Sequence, residues 1–164
     1  MSRAAWSRWL PFLGIALALT ILFMFLGGLQ PKRVGDGGEY YALFYAWSET
    51  HRPWMNAISF EAYEKLYASN QILDMVSSEW LQNAFPALRL GQTADVNHFW
   101  FYSLLAFMLS KAASWLAISI SPHSGFLLLH LLLLTGAAFV AFHFYRWRGL
   151  AAFALMTLRS EERR

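Results

Sequence analysis

The chain has 164 residues, 57% hydrophobic and 18% aromatic, with only 14% charged. That profile is far from an ordinary soluble domain and points to a membrane protein. The net charge of +3 is not gathered into a basic stripe, which argues against nucleic acid as a partner, and the absence of cysteine excludes disulfides, thiolate metal sites and cysteine nucleophiles.

Arg3 and Arg8, with Trp6 and Trp9, precede an uncharged run from Leu10 to Leu29. About 20 apolar residues cross a bilayer, so residues 10–29 are expected to form a first transmembrane helix. Residues 1–9 would form a cytoplasmic tail under the positive-inside rule, although Lys32 and Arg33 weaken the asymmetry. A cleaved signal peptide shares the basic start and apolar core. The length of the run, and the lack of a small-x-small site before Gln30-Pro31, favour an uncleaved anchor.

Residues 30–98 turn polar, with eight acidic side chains against five basic ones, and read as a long external loop. Within it Phe60, Tyr63, Leu66 and Tyr67 recur at helical spacing, with Glu61, Glu64 and Lys65 opposite, Glu61 and Lys65 paired four apart, and Ser59 as the cap. Such a helix suits the membrane interface or a place beneath a site. A small soluble lobe is an equal reading for residues 69–90.

Apolar segments at 99–120 and 125–145 flank the turn Ser121-Pro122-His123-Ser124 and read as a transmembrane hairpin. Trp100, Tyr102, Tyr145 and Trp147 fall near the ends, where aromatic rings favour the headgroup layer. Residues 146–164 form a basic C-terminal segment whose apolar part, 150–158, is too short to cross. The expectation is an all-α, multi-pass protein with about three spanning helices and short interfacial helices in the external loop. Three crossings from a cytoplasmic N-terminus, however, place Arg146 and Arg148 outside, against the charge rule.

Chemistry concentrates in Gly35-Asp36-Gly37-Gly38-Glu39-Tyr40-Tyr41. The glycines permit positive φ and close approach, and a helix starting near Gly38 would bring Asp36 and Glu39 together at its N-terminal end. A general base or a cation site would use that pair; an acidic helix cap is the simpler alternative. Asn97 and His98 form a second polar mouth at the start of the next apolar segment. Lys111, near the middle of that segment, would face a cavity or snorkel towards a lipid phosphate. His51 reads as a loop residue, and His130 and His143 as helix-helix hydrogen-bonding groups. The chain has no nucleophile elbow, P-loop or dinucleotide fingerprint.

The order of one helix, the Gly-Asp-Gly-Gly-Glu-Tyr-Tyr turn, an aromatic interfacial segment, and Asn97-His98-Phe99-Trp100-Phe101-Tyr102-Ser103-Leu104-Leu105 entering the next helix resembles the N-terminal part of the integral-membrane GT-C glycosyltransferases. This is the broad group related to protein mannosyltransferases and aminoarabinose transferases. The resemblance spans about Leu10 to Tyr145. It implies Asp36 as general base on an acceptor hydroxyl with Glu39 beside it, and a sugar on a polyprenyl phosphate or diphosphate as donor. It further implies a leaving phosphate held by polar and basic groups: Asn97, His98, Lys111, Arg146 and Arg148. The bilayer of the bacterial inner membrane is the implied setting. No metal ligand set is indicated, so a divalent ion is left open. Family members have about twice as many helices, which implies a truncated product, a fragment, or one part of a split enzyme that works with a further membrane subunit. The alternative function is a non-catalytic accessory or assembly subunit that uses residues 30–98 to contact a partner; a transporter or channel fragment has less in its favour.

Overall fold

The computed structural model describes residues 9–84 and 100–161, with side chains through residue 156. Among the described residues six helices follow in order: α1 (Leu10–Gly27), α2 (Gly37–Thr50), α3 (Ala57–Ala68), α4 (Ser78–Ala84), α5 (Trp100–Trp115) and α6 (Pro122–Glu161). No strand occurs among the described residues; a single parallel bridge joins Lys32 and Leu73. The all-α expectation therefore holds. The chain forms two compact units, Met1–Leu26 with His130–Arg164, and Gly27–Leu129.

Among the described residues two helices are long and apolar enough to cross a bilayer: α1, with 18 residues at a mean hydropathy of 2.4, and the stretch Pro122–Met156 of α6, at 2.2. The sequence reading expects three such segments. The one over residues 99–120 is represented by α5, which has 16 residues. It stops short because Ala117 takes the left-handed conformation (φ 60°), with the Ile118 and Ala117 amides donating to the Ala113 and Ser114 carbonyls, each at 3.0 Å. That is a Schellman ending built on alanine, where glycine is usual.

In the first unit, none of the residues of α1 is fully buried, and many of its apolar side chains are exposed. Trp9, at its start, stacks on Phe139 (5.7 Å) and approaches Phe142 (6.0 Å), while Phe12 meets Phe139 edge-on at 5.4 Å. α6 breaks at Arg146 (φ 54°, ψ −138°). Beyond the break the chain folds back so closely that a Cβ on Gly149 would collide with the Ala141 carbonyl. A straight helix would hold residues eight apart at about 12 Å. The fold-back buries Ala138, Phe142 and Leu150, with Trp9, Phe12, Ile15 and Phe153 packed around them.

The second unit is organised around α2. Gly38, Glu39, Tyr41, Ala42, Leu43, Phe44 and Ala46 are all buried, so this helix is covered on most of its circumference, which is the environment of a core helix. Tyr63 and Leu66 of α3, Met55, Ile72, Leu81 and Ala106 complete the core, and Phe126 meets the rings of Tyr40, Tyr41, Phe44 and Tyr102. α3 packs on α2 by Phe60, Tyr63 and Leu66 of the face that the sequence pattern identifies, while Tyr67 of the same pattern is exposed, and Lys65 pairs with Glu61 at 2.8 Å as expected. Its cap is Asn56, not Ser59. The Ser59 amide donates to Asn56 Oδ1 (3.0 Å) while Ser59 Oγ accepts from the Asn56 amide (2.8 Å), so Ser59 is the reciprocal partner in a capping box. Glu64 also does more than face solvent: it accepts from the Ser78 amide at 3.0 Å, at the start of α4.

Candidate functional site

The Gly35–Tyr41 turn sits where an extended strip meets the N-terminus of α2. Residues 31–33 align with the loop between α3 and α4: the Arg33 amide donates to the Leu73 carbonyl, and the Leu73 amide to the Pro31 carbonyl, each at 2.8 Å. Lys32 pairs with Asp74 at 2.9 Å, and Arg33 Nε donates to the Asp74 carbonyl at 2.7 Å. Arg33 also donates from Nη1 to the Gly35 carbonyl, so its guanidinium ties the turn to the Asp74 loop.

Two of the glycines have different reasons for being there. Gly35 takes φ +52°, in open space, where any side chain would be strained. Gly38 has ordinary dihedrals but a tight setting: a Cβ would lie 3.1 Å from Val76 Cγ2 and 3.4 Å from the Tyr63 hydroxyl. Tyr63 is fully buried and donates to the Val76 carbonyl at 2.9 Å, which fixes the floor beneath the helix start.

Asp36 occupies the N-cap position of α2, and its carbonyl accepts from the Glu39 and Tyr40 amides at 2.9 and 3.3 Å. Its side chain makes no cap hydrogen bond and is exposed. Glu39, one turn into the helix, is 7% exposed. The pair is therefore brought to one helix end, as expected, but in unequal settings. Tyr40 registers them both: its phenol is held above the usual value, first by burial and then by the negative charges of Asp36 and Glu39. A helix N-terminus favours carboxylates as anions. The arrangement offers an accessible base beside a buried carboxylate, with a proton-retaining phenol next to both.

Beyond the turn, Ser103 Oγ donates to the Tyr40 carbonyl at 3.1 Å, and Tyr40 meets Tyr102 edge-on at 5.4 Å, so α5 supports the helix carrying Glu39. His123 is a residue the sequence reading passes over as part of a turn. Its Nδ1 lies 2.9 Å from the Tyr41 hydroxyl, and it lines a cavity of about 130 Å³ with Gln71, Ile72, Ser121 and Ser124 at the start of α6. Burial, and then the neighbouring Tyr102, push the Tyr41 phenol up to about 12. The two residues are 82 apart in sequence, and no local pattern links them.

The other expected site residues are not gathered here. Asn97 and His98 lie outside the described residues. Lys111 is exposed on the last turns of α5, its carbonyl accepting from Ser114 Oγ at 2.7 Å. Arg146 and Arg148 belong to the other unit: Arg146 lies over the Phe142 ring at 5.7 Å, and Arg148 lines a groove in the fold-back of α6. His51 caps α2 in the left-handed conformation (φ 56°). His143 stacks on Phe139 at 6.0 Å. No group of three or more His, Asp or Glu able to hold a metal occurs among the described residues.

Comparison with family models, with curated proteins and with solved structures finds no match for this chain.

Proposed function

We propose that the chain is an integral membrane protein with a carboxylate-based transfer site at the start of α2, of the kind that moves a sugar from a polyprenyl-phosphate donor to an acceptor hydroxyl. Asp36 is the base that takes the hydroxyl proton, and Glu39 is the buried carboxylate that sets the field around it. A positioned base of this type contributes ~10²–10⁴-fold. The observation that carries the reading is the unused side chain of Asp36: it stands at the N-cap and caps nothing. Asp36→Asn in the full chain should therefore lose about a hundredfold or more of glycan transfer at unchanged protein level; retained transfer would refute it.

The crossings proposed are α1 and the part of α6 before Arg146. The described part of α5, 16 residues at ~1.5 Å per residue, covers about 24 Å of a hydrocarbon core of about 30 Å. The expected third crossing over residues 99–120 begins outside the described residues; the exposed apolar side chains of the described part of α5 suit the interface, and that is the place proposed for it. The bacterial inner membrane and a cytoplasmic N-terminus remain the proposed setting.

A non-catalytic accessory role is favoured by one observation, the exposed apolar side chains along α5: Phe101 at 57%, Met108 at 56% and Trp115 at 80%. They suit either the headgroup layer or a further membrane subunit. Under that reading Asp36→Asn leaves function intact, whereas Phe101→Asp with Met108→Asp abolishes it.

A further inference from the structure

The fold-back of α6 leaves a groove of about 640 Å³, within the ~300–1,000 Å³ that ligand clefts occupy. Its lining includes the small residues Ala137, Ala141, Gly149 and Ala152 together with Tyr145 and Phe153. Arg148 is its one charged lining residue, and Arg148 and Arg146 are both exposed. An apolar slot that ends in a guanidinium is complementary to an amphiphile with an anionic head.

The packing within this unit supplies the side of the membrane. Trp9 and Phe12 pack on Phe139 and Phe142, so the start of α1 lies against the part of α6 that leads into Arg146. Two antiparallel crossings follow, with the chain entering before Trp9 and leaving at Arg146 on the same side. The sequence concentrates charge accordingly: outside Gly27–Leu129 there are seven arginines and two acidic residues, and within it six basic and eight acidic. The positive-inside rule then places Arg3, Arg8, Arg146 and Arg148 together on the cytoplasmic side. The conflict that three crossings create for Arg146 and Arg148 disappears.

We infer that the groove at the break of α6 is a binding site for an anionic phospholipid of the cytoplasmic leaflet, one acyl chain lying along Ala137, Ala141 and Ala152 and the phosphate resting on Arg148. Arginine is suited to this because its guanidinium pairs with phosphate in a fork, and anionic lipid is concentrated in that leaflet. Gly149 lets the two arms of α6 meet backbone to backbone at Ala141, which closes the slot at that point. Arg146, whose guanidinium lies over the Phe142 ring, adds a second positive charge two residues away in the chain. The inference rests on the membrane part of the proposed function and not on glycosyl transfer, and it moves Arg146 and Arg148 from donor binding to lipid binding.

The test is lipid retention by the purified full chain in native mass spectrometry, with phosphatidylglycerol and phosphatidylcholine offered at equal concentration. Phosphatidylglycerol should be retained about fivefold more, the ratio that corresponds to ~1 kcal/mol per arginine at an anionic surface. Arg148→Gln should remove the preference, and Ala152→Phe, which fills the slot, should lower retention of both lipids. Equal retention of the two lipids, or a preference unchanged in Arg148→Gln, overturns the site. Displacement of phosphatidylglycerol by inorganic phosphate alone overturns it too, because the acyl chain would then contribute nothing. Because the chain has no cysteine, Ser2→Cys, in the stretch before Trp9, reports sidedness cleanly. Labelling by a membrane-impermeant maleimide only after permeabilisation supports the inference, and labelling in intact cells overturns it. An inactive transferase with normal lipid retention would sink the proposed chemistry and leave the lipid site standing.

Discussion

Gly125→Ala tests how the second unit is held together. Gly125 is in the first turns of α6, and a Cβ there would collide with Ser110 Oγ, lie 3.1 Å from the Ala106 carbonyl oxygen and 3.6 Å from Phe44 Cε2. Ser110 can rotate, but the Ala106 carbonyl is helix backbone and cannot move without shifting α5. Overpacking of this kind costs about 1–3 kcal/mol, and the better helix propensity of alanine returns at most ~1 kcal/mol. The expected net loss is about 1–2 kcal/mol, or roughly 2–6 °C in Tm for a chain of this size. Tryptophan fluorescence on heating, in detergent, would measure it. Ser110→Ala removes the closest atom, so the pair Gly125→Ala with Ser110→Ala should recover part of the loss, giving a favourable coupling of about 0.5–1.5 kcal/mol in a double-mutant cycle. A neutral Gly125→Ala, or strictly additive effects, would mean that α5 and α6 do not meet at this point.

Three further outcomes follow from local geometry. Tyr41 has a folded-state pKa raised to about 12 from an ordinary value of 10.0, so the folded protein holds its proton longer than the unfolded chain does. Stability should be undiminished below pH 10 and fall as pH rises towards 12, by an amount that shrinks in Tyr41→Phe; ultraviolet titration of the phenols against chemical denaturation would show it. Asn56→Ala removes the cap and leaves the Ser59 amide unpaired, for a loss of about 1 kcal/mol in thermal stability. Ala117→Gly should gain about 1 kcal/mol, because glycine bears no penalty at φ 60°; a lower Tm would refute the left-handed ending of α5.

Much of the helical layout is legible in the sequence because it depends on local patterns. The uncharged run of α1 and the spacing of Tyr63 and Leu66 with the Glu61–Lys65 pair need no knowledge of partners. What is hidden depends on distant contacts. α2 reads as an aromatic-rich stretch, not as the centre of the unit, because a helix buried on most sides lacks the one-sided period that marks an amphipathic helix. The end of α5 is hidden by an alanine doing what glycine normally signals, and the break in α6 by a left-handed arginine with no proline nearby. In the site, Asp36 and Glu39 fall together because three residues along a helix start is a short-range relation. The link from Tyr41 to His123 spans 82 residues and leaves no local trace.

The turn before α2 separates structural residues from spare ones. Gly35 is favoured by its positive φ and Gly38 by the close approach of Val76 and Tyr63, while Arg33 binds the turn to the Asp74 loop. Glu39 is buried within the helix, so Glu39→Gln tests fold and function at once. Asp36 is the exception, since its fold role is carried by its backbone carbonyl, which every residue possesses. Its carboxylate gains only the helix-dipole interaction, typically ~0.3–1 kcal/mol. Asp36→Ser should therefore change thermal stability by no more than about 1 kcal/mol. A loss of 2 kcal/mol or more, roughly, would make Asp36 a structural aspartate of the kind whose removal leaves buried groups unpaired, and would withdraw it as the base. With stability retained, an exposed carboxylate that the fold does not need, beside a buried one, remains available for chemistry on a bound hydroxyl.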